Sequence, residues 1–204
     1  MDTIRNDLSA ELAQAAACLV VEEGMEYAAA KRRAVKQLGL SARTALPDNA
    51  AIDAAVREYI ALFCADTQPA ELAALRAIAL LWMERLTVFR PHLGGAVWHG
   101  TATSHSDVYL QLFCDDPKAP EWALLNHRVA YHPGEVNGWR GEPMPVLTLR
   151  VHSEALGQWV LVHLMLHDLD DVRGALKPDA QGRKPRGDAA AVSRLVALDN
   201  EGTV

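Results

Sequence analysis

Apolar positions recur at helical spacing from the start of the chain to Phe89. The set Leu8, Leu12, Ala15, Ala16, Leu19 and Val20 advances mostly by three and four residues, which predicts a helix that Gly24 interrupts. A second helix is expected from Met25 to Leu38. There Tyr27, Ala30, Val35 and Leu38 face one way and Lys31, Arg32, Arg33 and Lys36 largely the other, with Gly39 just past the end, where a left-handed residue closes a helix. Leu46-Pro-Asp-Asn restarts the chain, Asp48 or Asn49 serving as N-cap. Ile52, Val56, Ile60 and Phe63 then mark a third helix from Ala50 to Ala65. Asp66-Thr-Gln-Pro is the next boundary, with Thr67 as N-cap and Pro69 at the first helical position. The fourth helix, Ala70 to Phe89, carries the stripe Leu72, Leu75, Ile78, Trp82, Leu86 and Phe89. It ends at Arg90-Pro91, because proline disfavours helical geometry in the residue before it.

Beyond Pro91 the pattern changes to short β-type segments. Leu93-Gly-Gly-Ala-Val-Trp-His-Gly is glycine-rich and leans to strand, and Ser106-Asp-Val-Tyr-Leu-Gln-Leu-Phe alternates like one. Residues 93 to 113 are therefore expected to form two adjacent strands joined by the Gly100–Ser106 turn. A helix follows from Ala119 to Arg128, then strands from Val146 to Val151 and from Trp159 to His167. Short helices are expected at Leu169–Leu176 and Asp188–Leu198, with a Gly- and Pro-containing loop between them from Lys177 to Gly187. The fold class this implies is α+β: a helical N-terminal region over 1–68, packed on a small mixed sheet within an α/β domain over 69–204.

Composition narrows the functional classes. With 204 residues and 50% hydrophobic residues, the chain has ample material for a core. The net charge is −6, and neither the part before His92 nor the part after it is basic, so a broad electrostatic grip on DNA is not expected. No apolar run reaches the about 18 residues that span a bilayer, and the first residues lack a signal-peptide pattern, so a cytoplasmic protein without membrane contact is expected. Cys18, Cys64 and Cys114 are far apart and form no Cys-x-x-Cys pair, which argues against a disulfide framework or structural zinc.

The most informative stretch is Gly95-Ala-Val-Trp-His-Gly-Thr-Ala-Thr-Ser-His-Ser-Asp-Val-Tyr-Leu. It resembles the signature of the nucleotidyltransferase superfamily related to DNA polymerase beta: a Gly-Ser pair, a short interval, and Asp-x-Asp on a strand. Many bacterial members read Gly-x-Ala-x-x-x-Ser-Asp in the middle, and Gly100, Ala102, Ser106 and Asp107 fall on those positions without a gap. The tight match covers only this segment. In that family two carboxylates at i and i+2 on one strand face share Mg²⁺, which neutralises triphosphate charge, while the glycine turn lets backbone N–H groups approach the phosphates.

The chain departs from the pattern at two positions, with Ala96 where the family has serine and Tyr109 at the second acidic position. The resemblance thus implies a nucleotidyltransferase-fold protein that has lost the standard metal pair and retains nucleotide or phosphate binding. Asp107 is the catalytic candidate. Gly94, Gly95, Gly100, Thr101 and Ser106 are the phosphate-binding candidates, and Asp107 with Asp168 is the remaining metal pair, holding Mg²⁺ weakly. A nucleoside triphosphate is the implied ligand. An active nucleotidyltransferase with a rearranged metal set, acting on RNA, protein or a small molecule, remains open, as does a non-catalytic scaffold that binds RNA or a protein partner.

The residues also offer other groupings. Arg183, Lys184 and Arg186 with Lys177 place four cations on one loop, where charge-assisted bonds to phosphate are available. His163 and His167, four apart on a strand, are about 13 Å distant and cannot share an ion. His99 and His105 flank the Asp107 turn, and His152 and His163 fall on two strands of undetermined register. The five tryptophans are spread out and read as core or rim.

Overall fold

The computed structural model describes residues 2–138, 141–177, 182 and 184–201. The architecture is α+β, and the chain divides into two compact units. The first, Met1–Pro69 with Thr101–Ser106, is helical: α1 (Asp2–Glu23), α2 (Tyr27–Gln37) and α3 (Asn49–Phe63), with α1 packed on both others. Its core joins Leu12, Ala16 and Leu19 to Ala30, Ala34, Ile52 and Val56, so alanines bring the helix backbones close together. Asp48 is the N-cap of α3, accepting from the Ala51 N–H at 2.7 Å.

The segment 101–106 belongs to this helical unit rather than to the sheet. The Thr103 hydroxyl donates to the Val21 carbonyl at 3.1 Å, and Gln68 Nε2 donates to the Ala102 carbonyl at 2.9 Å, both buried. Gly24 has φ +64°, and the His105 carbonyl oxygen occupies the space that a Cβ would need there. The glycine that breaks the helical pattern in the sequence is thus also the seat of this loop.

The second unit, Ala70–Gly100 and Asp107–Val204, holds most of α4 (Gln68–Arg85), whose stripe Leu72, Leu75, Ile78 and Trp82 is buried as the spacing predicts. The helix ends four residues before Phe89, which sits in a 3₁₀ turn (Thr87–Phe89) closed by left-handed Arg90. The unit continues through β1 (His92–Gly94), α5 (Gly95–His99), β2 (Val108–Phe113), α6 (Ala119–Asn126), β3 (His132–Asn137), β4 (Pro143–Ser153), β5 (Gln158–His167), α7 (Val172–Ala175), β6 (Gly187–Asp188) and α8 (Ala189–Glu201). Among the described residues the strands form one mixed sheet in the order β3-β4-β5-β2-β1-β6, with β2 and β5 parallel and the other pairs antiparallel.

Three expectations are corrected. Leu93–Gly100 is strand only to Gly94. Gly95 then turns the chain at φ +68°, and residues 95–99 make a short helix that left-handed Gly100 closes through its N–H to the Ala96 carbonyl. A strand at 132–137 had no signal in the sequence. It is an edge strand exposed throughout, with Pro133, Gly134 and Glu135 in place of an alternating apolar set. The strand expected at 146–151 extends to Pro143–Ser153.

Candidate functional site

The two sheet faces differ sharply. Leu93, Val108, Leu110, Leu112, Leu147, Leu149, Val162, Leu164 and Leu166 share one face, each at most 5% exposed. Register places the alternate residues in rows on the other. Gly94, Tyr109, His163 and Thr148 form one row across β1, β2, β5 and β4. One step along in one direction, Asp107 is level with Leu161 and Arg150, and Trp159 pairs with His152 beyond them. One step in the other direction, His92, Gln111, Met165 and Val146 form a row, followed by Phe113 with His167. Polar side chains on this face are bought by the dry face behind it, which supplies the burial that holds the strands.

Asp107 immediately precedes β2. Its carboxylate accepts from His163 Nε2 at 3.2 Å, and His163 Nδ1 lies 3.0 Å from the Thr148 hydroxyl. The carboxylate can only accept, so Nε2 carries a proton, and the Thr148 hydroxyl pairs with Nδ1 from the next strand. Tyr109 stacks on the His163 ring, centroids 4.9 Å apart and planes 24° from parallel. His163 is therefore the histidine that meets Asp107. His152 lies four residues away along β4 from the partner of His163, so the two do not line one pocket.

The expected metal pair does not form. Asp168 follows His167, the β5 partner of Phe113, whereas Asp107 lies beyond the opposite end of β2, level with Leu161. Seven residues along a strand separate them, about 23 Å. Asp168 instead caps the following 3₁₀ turn (Leu169–Asp171), accepting from the Asp170 N–H at 3.0 Å. With Asp107 engaged by His163 and Tyr109 at the second position, the donor set does not fit Mg²⁺. No cluster of three His, Cys, Asp or Glu side chains suited to a metal occurs among the described residues.

The glycine turn is more densely built. Gly94 ends β1 in extended geometry, and a Cβ there would meet Arg186 Cγ at 3.4 Å and Nε at 3.8 Å. A Cβ on Gly95 would lie 3.5 Å from the Tyr109 ring. The structure thus brings together Gly94, Gly95, Tyr109 and Arg186, and burial pushes the Arg186 guanidinium below its ordinary range. Residues 184–188 are fastened here because Trp98 Nε1 donates to the Lys184 carbonyl at 2.8 Å and the Trp98 ring fills the space beside Gly187. Lys184 itself is exposed. Arg183 lies outside the described residues, as does Trp139.

Gly100 has a different neighbour. Arg76 Nη2 is 3.5 Å from where its Cβ would stand. The same guanidinium donates through Nε to the Val97 carbonyl at 3.3 Å and through Nη1 to both oxygens of Asp199, at 2.8 and 3.0 Å. Arg76 is 7% exposed and was not legible as a site support, since in the sequence it is one polar position in a helical stripe.

The two hydroxyl candidates of the motif serve the helical unit. Thr101 is 4% exposed and hydrogen-bonds Tyr27, whose phenol is pushed up to about 12, chiefly by burial and then by Asp53. The Ser106 hydroxyl accepts from the Thr103 N–H at 3.0 Å, closing the loop on itself. Both roles are structural, a correction to the phosphate-binding expectation at these two positions.

At the far end of the polar face His167 stacks on Phe113 and donates to Gln111 Oε1. Burial holds the His167 pKa below the ordinary histidine value, Arg186 adds to that depression, and Asp171 opposes it. Burial likewise pushes the Cys114 thiol up, reinforced by Asp116, Asp115 and Asp168, which makes it a poor nucleophile.

No protein-family model matches the chain, and no curated protein does either. Among solved structures it is similar to Cid1 poly(U) polymerase in its MgGTP-bound form, with 14% identity and a TM-score of 0.34. The similarity covers 55% of this chain and 37% of that one, so the chain spans well under two thirds of the structure it matches. No helix among the described residues is long and apolar enough to cross a membrane.

Proposed function

We propose that the protein is a nucleotidyltransferase-fold protein, catalytically degenerate, that retains binding of a nucleoside triphosphate on the polar sheet face. One observation carries this reading: the register that sets Gly94 and Gly95 beside Tyr109, with Arg186 laid over Gly94 and Asp107 one step away on the same face. A glycine turn permits close approach of a phosphate to the backbone, and a half-buried guanidinium gives that phosphate a directional partner. His163 and Tyr109 occupy the space beside Asp107 that a metal pair would need, which favours binding over turnover. The phosphate candidates this reading keeps are Gly94, Gly95, Gly100, Arg183, Lys184 and Arg186.

A thermal-shift titration tests it. Ligand at about 100 times its dissociation constant adds about 2.7 kcal/mol, a shift of several degrees for a chain of this length. ATP is expected to raise the midpoint of the wild type and to leave that of Arg186→Gln nearly unmoved. If no nucleoside triphosphate shifts the wild type, the scaffold reading takes its place.

A further inference from the structure

The β4–β5 hairpin end of the polar face carries an aromatic and cationic group that the phosphate turn does not use. Trp159 is 57% exposed although it lies within a regular strand. The Arg150 guanidinium sits 4.9 Å over its ring, and His152, its cross-strand partner, meets the ring edge-on at 5.2 Å. Arg150 and His152 are themselves exposed. Trp159 lies two residues, about 7 Å, beyond the row that holds Asp107. An exposed indole offers a π-face to any base, and the adjacent guanidinium supplies both stacking surface and a bond for the phosphate that flanks it. In a chain of net charge −6, such a cationic, aromatic spot suits a short contact with one or two nucleotides rather than a long basic track.

We propose that Trp159, Arg150 and His152 form a stacking subsite for an unpaired base and its flanking phosphate in single-stranded nucleic acid. The inference extends the nucleotide reading along the same face but has its own readout. Gly94, beside which the proposed triphosphate lies, is two rows and two strands away from Trp159, which argues for a polynucleotide over a free nucleotide. The subsite discriminates weakly among base sequences, since stacking uses the ring face and not the base edges.

Fluorescence anisotropy with end-labelled hexauridylate and hexathymidylate tests it on the full chain. The wild type is expected to bind with a shallow salt dependence, consistent with one or two phosphates. Trp159→Ala and Arg150→Glu should each weaken binding about ten-fold or more, with unchanged unliganded melting midpoints and an unchanged ATP-induced shift. Oligonucleotide binding that is absent in the wild type, or equal in both variants, overturns the subsite. Loss of the ATP shift in Trp159→Ala without oligonucleotide binding assigns the ring to free nucleotide and also overturns it. An ATP shift that fails while the oligonucleotide results hold removes the triphosphate reading and leaves the subsite standing.

Discussion

His163 Nε2 reaches the Asp107 carboxylate at 3.2 Å across the parallel β2–β5 pair, and Thr148 fixes the other nitrogen from β4. Three adjacent strands thus hold Asp107 in one orientation through side chains alone. The bond is partly exposed, so its removal is expected to cost little stability, about 1 kcal/mol for His163→Ala. Thr148→Val should release the imidazole, and the change is readable as a shift of the His163 ring resonances. Unaltered resonances in that variant would contradict the Thr148–His163–Asp107 network.

The Arg76–Asp199 pair joins a buried guanidinium to a partly buried carboxylate, and Arg76 also satisfies the Val97 carbonyl. Arg76→Ala takes the guanidinium from the Asp199 carboxylate and the Val97 carbonyl and is expected to destabilise the protein by about 2 kcal/mol, less than for a fully buried pair. Asp199→Asn keeps a hydrogen-bond acceptor and should cost less. Denaturant unfolding of both variants checks the order, which an equal or larger loss in Asp199→Asn would contradict.

Gly187 faces the Trp98 ring with no room for a Cβ. Gly187→Ala is expected to cost about 1–3 kcal/mol through overpacking, and Trp98→Phe in the same background should recover part of it. Because residues 184–188 carry Arg186 over Gly94, Gly187→Ala should also weaken the ATP-induced shift. Gly157, in the hydrogen-bonded Glu154–Gly157 turn that precedes β5, has nothing within 4 Å of its Cβ position, although its φ of +64° carries a backbone cost of its own. Gly157→Ala therefore lowers stability while leaving the ATP shift in place.

His167 gives a pH dependence of defined sign. Its folded pKa lies below the ordinary value of 6.5, so the unfolded chain takes up the proton first as the pH falls. The stability this group contributes is complete above about 6.5 and is lost as the pH descends toward the folded value. His167→Gln should flatten that part of the stability–pH curve. A curve of unchanged slope would show that the loss arises elsewhere.

Much of the helical framework is legible because α3 buries Ile52 and Val56 and α4 buries Leu72, Leu75, Ile78 and Trp82 at three- and four-residue spacing, with Asp48 and Pro69 punctuating them, although Phe63 of the expected α3 stripe is exposed. The alternation around Val108, Leu110 and Leu112 likewise marked β2 and its dry face. Register was not legible: nothing in the sequence says that His163 stands beside Tyr109, or that Asp168 falls at the wrong end of the sheet for Asp107. Strand β3 was missed because an exposed edge needs no apolar alternation. The loop 101–106 reads as a phosphate turn because Ala102 and Ser106, with Gly100 and Asp107 on either side, match the motif. The bonds of Thr103 to Val21, Thr101 to Tyr27 and Ser106 to the loop's own backbone depend on the helical unit, which local sequence does not reveal. Arg186 was visible as a cation, but its place over Gly94 follows from Trp98 anchoring the Lys184 carbonyl, 86 residues away in sequence.

Calorimetric titration of ATP into the wild type, once with Mg²⁺ and once with a chelator, tests the central claim most directly. Binding to Gly94, Gly95 and Arg186 without a metal pair predicts a dissociation constant below about 1 mM in both conditions. The same account predicts that Asp107→Asn binds ATP at least as tightly, since it removes a negative charge beside the phosphates, and that Arg186→Gln does not bind. Heat that appears only with Mg²⁺ and disappears in Asp107→Asn would contradict the degenerate reading and assign Asp107 to a working metal site.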